Sequence, residues 1–202
     1  TEVSSSMIMT LSSNGLGQPP YSFGICIPGY LYGSLWEVYK QGRPTGLREN
    51  LKKAEKLPRP VLTPTTKADV GHDIELSRKD VSGQIGEPLA AQIEDISLRI
   101  YHLASHQAEK HGIIIADTKL EFGICKDELM LIDECLTPDS SRFWPKEQYQ
   151  IGKDQFSYDK QHMRDYLVST GWNKQPPAPQ LPEHVILETS RKYVEAYEHL
   201  TG

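Results

Sequence analysis

Alternating charged residues make the stretch 117–123 the part of the sequence best suited to chemistry. In an extended strand, successive side chains point to opposite faces. Asp117, Lys119 and Glu121 would therefore share one face, and the residues between them the other. A cation between two carboxylates is costly to bury unless a metal ion or a phosphate joins the group. The sequence therefore predicts a site for a cation or a nucleotide phosphate on this face.

A second strand is predicted to pair with the first, because the apolar run 129–132 follows after only a short break. The length of the connecting loop decides which side chains meet, since a shift of one residue turns a strand over. A two-residue loop would point Asp133 away from the face that holds Glu121. A three-residue loop over 125–127 would place Asp133 opposite Lys119. We expect the three-residue loop, or an equivalent bulge.

Carboxylates on these two strands are candidate ligands for Mg²⁺, which usually takes one or two from the protein and leans on substrate phosphates. Glu121 and Asp133 fit that number, with Lys119 between them to neutralise a transferring phosphoryl group. The turn-rich segment 137–142 adds hydroxyl groups and Arg142, which suit a phosphate or a carboxylate. The alternative is an ordinary β-turn whose arginine pairs with a neighbouring carboxylate.

Length and composition are typical of a soluble protein large enough to have a real core. Of the 202 residues, 38% are hydrophobic and 24% charged, and no window has the apolar length of a membrane span. The net charge of −5 argues against a general nucleic-acid binder, whose surface would be basic. Three cysteines without a Cys-x-x-Cys spacing suit a reducing compartment, so we expect a cytoplasmic protein without a zinc site.

Periodicity predicts one short and three longer helices. The short helix covers 35–40, and the longer ones cover 87–111, 159–169 and 183–200. Apolar residues at helical spacing are expected to face the core on the second and fourth of these helices. They are Ile93, Ile96, Ile100, Leu103, Ile186, Tyr193, Tyr197 and Leu200.

The remaining segments alternate between strands and loops. A strand is predicted over 21–27, and 57–67 must be extended because its three prolines forbid a helix. Together these elements predict an α+β fold, an antiparallel-rich sheet covered by helices. We expect an irregular segment over 1–20, followed by one domain over 21–202.

Three further polar residues have both a structural and a functional interpretation. Ser34 precedes the short helix and is suited to be its N-cap, or to bind an anion together with the free amides of the helix start. Lys67 lies on a loop that is either solvated or supplies donors to a polar substrate. Asp159 stands at a helix start, as an N-cap or as a ligand-binding residue.

Five motifs, taken jointly and in order, resemble the phosphoribosylaminoimidazole-succinocarboxamide synthase family. The similarity runs from about Tyr21 to the end of the chain. The motifs are Gly29-Tyr-Leu-Tyr-Gly-Ser34, Leu57-Pro-Arg-Pro-Val-Leu-Thr-Pro-Thr-Thr-Lys67, Asp117-Thr-Lys-Leu-Glu-Phe-Gly123, Asp133-Glu-Cys-Leu-Thr-Pro-Asp-Ser-Ser-Arg-Phe-Trp144 and Tyr158-Asp-Lys-Gln161.

The resemblance implies an ATP-dependent ligase of purine biosynthesis with an ATP-grasp-like larger domain. It would join L-aspartate to carboxyaminoimidazole ribonucleotide through an acyl phosphate, and would use ATP and Mg²⁺. The metal ligands implied are Glu121 and Asp133, and Lys119 and Asp117 would be the catalytic residues. The substrate-binding residues implied are Ser34, Lys67, Asp139, Ser140, Arg142, Asp159, Lys160 and Gln161.

The sequence also departs from the family pattern in two ways that bear on activity. Members normally begin with a small ATP-binding domain, which we expect to be absent from this chain; the surface so left uncovered allows a homo-oligomer. Pro28 stands where the family usually has an arginine that is expected to bind substrate phosphate. These departures motivate an alternative: a truncated, non-catalytic relative that binds a nucleotide or a partner subunit.

Overall fold

Helices and an antiparallel sheet form the structure, a computed structural model that describes residues 22–66, 75–125, 128–173 and 175–202. Five strands and five α-helices lie in these ranges. In chain order they are β1 (Ser22–Pro28), α1 (Gly33–Lys40), β2 (Thr63–Thr66), α2 (Arg78–Ile85), α3 (Glu87–Lys110), β3 (Ile113–Cys125), β4 (Glu128–Leu131), β5 (Ser141–Pro145), α4 (Gln161–Ser169) and α5 (Glu183–Thr201). The predicted α+β class is thereby confirmed.

Strand β3 is the centre of the sheet. Along one edge it pairs with β1, which in turn pairs with β2, and every pairing is antiparallel. Along its other edge β3 pairs first with β5 and then with β4. Between those two partners, the Lys119 amide donates to the Ser140 carbonyl, and the Glu121 carbonyl accepts from the Ile132 amide. The charged segment of β3 is therefore held by backbone hydrogen bonds on both sides.

A β-bulge decides which face of β3 is polar. The pairing with β5 shifts between Ile115 and Asp117, so Ala116 is an extra residue on β3. Ile113 and Ile115 belong to the main core, and beyond the bulge Leu120 and Phe122 return to it. Without the extra residue, alternation would turn Asp117 towards the core.

Helix α3 covers the apolar face of the sheet, as predicted. The side of the helix that faces the core is rotated relative to the predicted side. Leu103 is 72% exposed, and the prediction that it faces the core is wrong. Tyr101 is buried instead, because its hydroxyl donates to the Ile115 carbonyl at 2.7 Å and its ring fills the core. The buried residues of α3 are Ala90, Ile93, Ser97, Tyr101 and Ala108.

Helix α5 shows a similar rotation. Ile186 and Tyr197 were expected to be buried and are exposed. Val185, Lys192 and Ala196 face the interior in their place. The helix has apolar residues on two neighbouring faces, so periodicity alone favoured the wrong one.

Helix α1 begins two residues earlier than the N-cap prediction requires. The N-cap residue is Tyr32, and Ser34 is the second residue of the helix, with an exposed side chain. The N-cap interpretation of Ser34 is therefore wrong. Gly33 is placed at the helix start with a φ of 57°, a backbone conformation that favours glycine.

The connection between β3 and β4 has two residues rather than three. Cys125 pairs with Glu128, and Phe122 with Leu131. The predicted three-residue loop is wrong, because Leu131 must lie on the same face as Phe122 to pack against the core. The loop residues 126–127 themselves lie outside the described ranges.

Helix α2 was not predicted from the sequence. A capping box starts it: the Asp80 amide donates to the Ser77 hydroxyl, and the Ser77 amide donates to the Asp80 carboxylate. In the part of the chain that the structure describes, no helix is long and apolar enough to cross a membrane.

Candidate substrate site

The polar face of β3 presents a charged pair whose partners differ in exposure. The Lys119 Nζ lies 2.9 Å from the Glu121 Oε1. The Lys119 side chain is 40% exposed, whereas that of Glu121 is 7% exposed. The register with β1 and the Lys119–Glu121 contact place Asp117, Lys119 and Glu121 on one face of β3, as predicted.

The floor beneath Lys119 is a glycine on β1. A Cβ atom at Gly24 would lie 2.9 Å from the Lys119 Cε and 3.0 Å from the Thr65 Oγ1. Since real Cβ atoms essentially never approach so closely, the absence of a side chain lets the lysine stem lie across the sheet. Nothing near Gly24 in the sequence indicates this role; only strand pairing brings it under Lys119.

Replacing Gly24 by alanine is expected to displace Lys119 and to lower turnover by about ten- to a hundredfold, since misplacing a reacting group by about 1 Å has effects of that size. Steady-state kinetics measures this. Gly83→Ala is the matched control, because a Cβ there meets nothing within 4 Å. Equal turnover in the Gly24→Ala and Gly83→Ala variants would contradict the role given to Gly24.

Cys26 lies opposite Lys119 on the same face. Burial raises the pKa of its thiol to about 12, and the nearby Asp117 adds to the shift. A thiol with this pKa stays protonated at neutral pH, so Cys26 is a wall of the site and is not suited to be a nucleophile.

Arg142 and Asp117 form an ion pair across β5 and β3. Burial raises the pKa of the Asp117 carboxyl, and Arg142 opposes that shift. Burial acts to lower the pKa of Arg142, but Asp117 and Asp159 outweigh it, so the guanidinium stays charged. The Arg142 Nε is buried and has no hydrogen-bond partner.

The start of helix α1 lies against this guanidinium. A Cβ atom at Gly33 would be 2.8 Å from the Arg142 Nη1. The Tyr32 ring centroid lies 5.8 Å from the Arg142 Cζ. The fold thus brings the exposed Ser34 and its helix amides next to Arg142, an arrangement suited to an anion.

Asp159 is a second buried carboxylate whose charge acts on Arg142. It is 2% exposed, and its Oδ1 accepts a hydrogen bond from the Gln161 amide at 2.6 Å. Burial raises the pKa of the Asp159 carboxyl, and the Gln161 amide and Arg142 oppose the shift. The N-cap residue of α4 is Lys160, so the N-cap interpretation of Asp159 is wrong. The use of Asp159 as a ligand-binding residue stays a prediction.

The loop that joins β4 to β5 adds a second pair of charges. The Lys160 Nζ lies 2.6 Å from the Asp139 Oδ1, which lowers the pKa of that carboxyl. Thr137 Oγ1 accepts from the amides of Asp139 and Ser140, which fixes the turn. Burial, and then Asp139, raises the pKa of Glu134.

The structure places the remaining predicted residues less centrally. Asp133 lies in an exposed bend after β4, where its Oδ1 accepts from the Glu134 amide. Lys67 lies outside the described residues.

Within the described ranges, no three His, Cys, Asp or Glu side chains are grouped so that they could hold a metal ion. A Mg²⁺ site with one or two carboxylates and bound phosphates fits the donors present, since carboxylate oxygens are its preferred ligands.

A cavity of about 480 Å³ lies away from these charges, between the segment 45–62 and helices α2 and α3. Its floor is apolar and includes Ile25, Val81 and Ile93. Ile25 points to the α3 side of the sheet, so this cavity and the polar face are separated by β1. The chemistry-bearing side chains do not open into it.

The sequence was compared with known families and proteins. A model of the SAICAR synthetase family matches residues 22–179. The phosphoribosylaminoimidazole-succinocarboxamide synthase of Thermodesulfovibrio yellowstonii is 52% identical over 179 residues, which are 87% of this chain and 61% of that protein. The chain thus spans about three fifths of the length of this relative.

Solved structures agree with the sequence comparison. The SAICAR synthase of Saccharomyces cerevisiae, complexed with SAICAR, is 39% identical with a TM-score of 0.77, over 89% of this chain and 60% of that one. A SAICAR synthetase in complex with ADP is 26% identical with a TM-score of 0.64, over 90% of this chain and 64% of that one. The family model and these relatives show that the chain belongs to the SAICAR synthetase family.

Proposed function

We propose that this chain provides the ribonucleotide-binding part of a ligase that joins L-aspartate to carboxyaminoimidazole ribonucleotide with ATP. The observation that supports this most is the meeting of Arg142, the α1 start and Lys119 on one polar face. Relatives that bear the synthase name share 46–52% of their residues with the chain. A SAICAR complex and an ADP complex among the structural neighbours support these two ligand classes.

The ribonucleotide phosphate is proposed to bind between Arg142 and the first turn of α1, with Ser34 as a donor. Arg142 is held by its ion pair with Asp117, and the buried Asp159 adds a second negative charge that acts on it. A fixed guanidinium recognises phosphate through paired hydrogen bonds. Asp117 therefore acts in this proposal by orienting Arg142.

Lys119 is proposed to act on the substrate carboxylate. Its ammonium group is partly exposed, so an incoming anion can reach it. The proposed reaction has two steps: a carboxylate oxygen attacks the γ-phosphorus of ATP and ADP leaves, and then the aspartate amine attacks the acyl carbon and phosphate leaves. A fixed cation stabilises the negative charge that develops in each step.

Glu121 is proposed to hold Mg²⁺ together with nucleotide phosphates, and Asp133 to join it from the bend after β4. The two-residue loop removes the predicted position of Asp133 opposite Lys119, but β4 ends at Leu131, so strand alternation does not fix where the Asp133 carboxylate points. The Glu121 carboxylate is almost buried beside Lys119, and Asp133 is exposed beyond the end of β4. A bound Mg²⁺ would neutralise phosphate charge. Glu121 and Asp133 would orient the nucleotide phosphates towards Lys119.

The loop after β4 and the start of α4 are proposed to form the wall for aspartate or for the ribonucleotide. Asp139 and Lys160 are already paired there, and Ser140 and Gln161 flank them. Lys67 completes the proposed set. An amino-acid substrate carries both charge signs, which matches a wall that presents both signs.

The domain over 21–202 is proposed to be the larger, ATP-grasp-like domain of the enzyme, and ATP to be gripped together with a smaller domain. A cytoplasmic location and a homo-oligomer remain predictions. The relatives compared are all named as synthases, so the alternative of a non-catalytic relative gains no support from them.

A coupled ADP-release assay tests the proposed function. We expect sustained ADP release only when ATP, L-aspartate and carboxyaminoimidazole ribonucleotide are present together, and at most about one ADP per site without aspartate, because the first step needs only ATP and the ribonucleotide. Omitting aspartate is the matched control, because it leaves ATP binding intact. No release from the full set at saturating ATP in an enzyme that contains this chain together with the smaller domain, or release that is independent of the ribonucleotide, would overturn the proposed function.

Glu121→Ala and Asp133→Ala are each expected to weaken Mg²⁺–ADP binding by about tenfold or more, because each removes one of the few carboxylates such a site uses. Calorimetric titration of Mg²⁺–ADP measures the loss, and circular dichroism checks that the variants stay folded. Asp95→Ala on the outside of α3 is the control, since that carboxylate is exposed. Unchanged affinity in folded Glu121→Ala protein would refute the metal role.

A further inference from the structure

Helix α5 buries a lysine next to the candidate site. Lys192 is 7% exposed, although lysines are almost never buried without a partner. Its Nζ donates to the Ser157 carbonyl at 3.4 Å and lies 3.9 Å from the centroid of the Phe156 ring. The side chain therefore reaches from α5 to the segment 156–159.

That segment is attached to β5 immediately beside Arg142. The Tyr158 amide donates to the Phe143 carbonyl at 2.9 Å, and the Ser157 hydroxyl donates to the same carbonyl at 3.2 Å. Phe143 follows Arg142 in the chain, and Asp159 follows Tyr158. The segment that carries Asp159 is thus bound to the residue next to Arg142.

The charges around Lys192 fit this connection. Burial lowers the pKa of Lys192, and the negative charge of Asp159 is among those that oppose this shift, while Arg142 and Arg164 act on Asp159 itself. From its own helix, Glu188 and Glu195 also attract Lys192, and Arg191 repels it. A buried carboxylate needs such cations to stay charged.

We propose that Lys192 is a positioning residue of the ribonucleotide site, which holds the segment 156–159, and with it Asp159, against β5 beside Arg142. This inference rests on the proposed function of Arg142. Lys192 touches no proposed substrate atom and acts only through the segment it holds.

Measurements of both stability and ligand binding distinguish a positioning role of Lys192 from a purely structural role. A well-packed apolar side chain in place of a buried charge is often neutral or stabilising. If Lys192 served only the fold, Lys192→Met would leave ligand binding unchanged. If it positions Arg142 through Asp159, the same variant weakens ribonucleotide binding without a matching loss of stability.

The test compares wild-type chain, Lys192→Met and Lys192→Arg, with exposed Lys79→Met on α2 as the matched control. Titration calorimetry with SAICAR and thermal unfolding are measured for each. We expect affinity for SAICAR to fall by about tenfold in Lys192→Met, to recover at least in part in Lys192→Arg, and to stay at the wild-type value in Lys79→Met. The KM for the ribonucleotide should rise by a similar factor, while the KM for ATP changes much less.

Equal SAICAR affinity in folded Lys192→Met and wild-type protein would overturn the inference, as would an equal rise in every KM. If Lys192→Met does not fold, Lys192→Gln replaces it, because it removes the charge and shortens the side chain by one bond while leaving it polar; the same loss of SAICAR affinity is expected. Failure of the wild-type chain to bind SAICAR would instead overturn the proposed function, so the two failures are distinguishable.

Discussion

Replacing Arg142 by methionine is expected to abolish ribonucleotide binding and to cost about 3–5 kcal/mol of the free energy of unfolding, as breaking a buried ion pair does. Both partners are mostly buried, with side-chain exposures of 21% for Arg142 and 10% for Asp117. The loss arises because the Asp117 carboxylate is left in the sheet without the guanidinium that compensates it. Denaturant unfolding measures the stability, and titration with SAICAR measures the binding.

The double variant Asp117→Asn with Arg142→Met separates these two effects. It removes the buried charge together with its partner, so most of the lost stability should return. Binding should not return, because the proposed phosphate donor is still missing. Wild-type affinity for SAICAR in either variant would contradict the role given to Arg142.

The stability lost in the single variant Arg142→Met is expected to depend on pH. Burial raises the folded-state pKa of Asp117 above its unfolded value of about 3.9, and Arg142 limits the shift. A raised carboxyl pKa contributes stability that is present below the unfolded pKa and lost as the pH rises through the folded pKa. Removing Arg142 enlarges this shift. The stability deficit of Arg142→Met should therefore be smaller at pH 4 than at pH 8, and a deficit that grows on acidification would contradict it.

Lys119→Met is expected to lower kcat by about a hundred- to a thousandfold, the usual effect of removing one fixed group that stabilises developing charge. The lysine is partly exposed beside a nearly buried Glu121, and Gly24 leaves room for its stem. Because the proposed cation acts mainly on the transition state, kcat should fall more than the affinity for the ribonucleotide.

Single-turnover and steady-state kinetics in the ADP-release assay measure this effect. Lys146→Met is the matched control, since Lys146 lies just after β5 with an exposed side chain. Its kcat should equal that of the wild type. A Lys119→Met variant with more than half of the wild-type kcat would show that the ammonium group is not required.

The sequence predicted the contents of the polar face well, because period-two alternation is a local property of a strand. Asp117, Lys119 and Glu121 share a face without reference to the rest of the chain. The long helix α3 was predicted for the same reason, from its own periodicity and from Gly112 at its end.

The features that the sequence did not predict depend on contacts between distant segments of the chain. The bulge at Ala116, which turns the charged residues away from the core, is visible only once β5 pairs with β3. The two-residue β3–β4 loop follows from the packing of Leu131 and Phe122 against the main core, which the spacing of residues along the chain does not reveal. Gly24 and Lys192 were missed because their roles rest on strand pairing and helix docking.

Amide chemical-shift mapping with SAICAR tests the central claim most directly, that the polar face of β3 binds the ribonucleotide. We expect the largest shifts at the amides of 33–34, 117–121, 142 and 159–161. The apolar cavity under α3 offers a direct contrast, because it lies on the other side of the sheet. Shifts confined to that cavity, at residues such as Val81 and Ile93, would contradict the account.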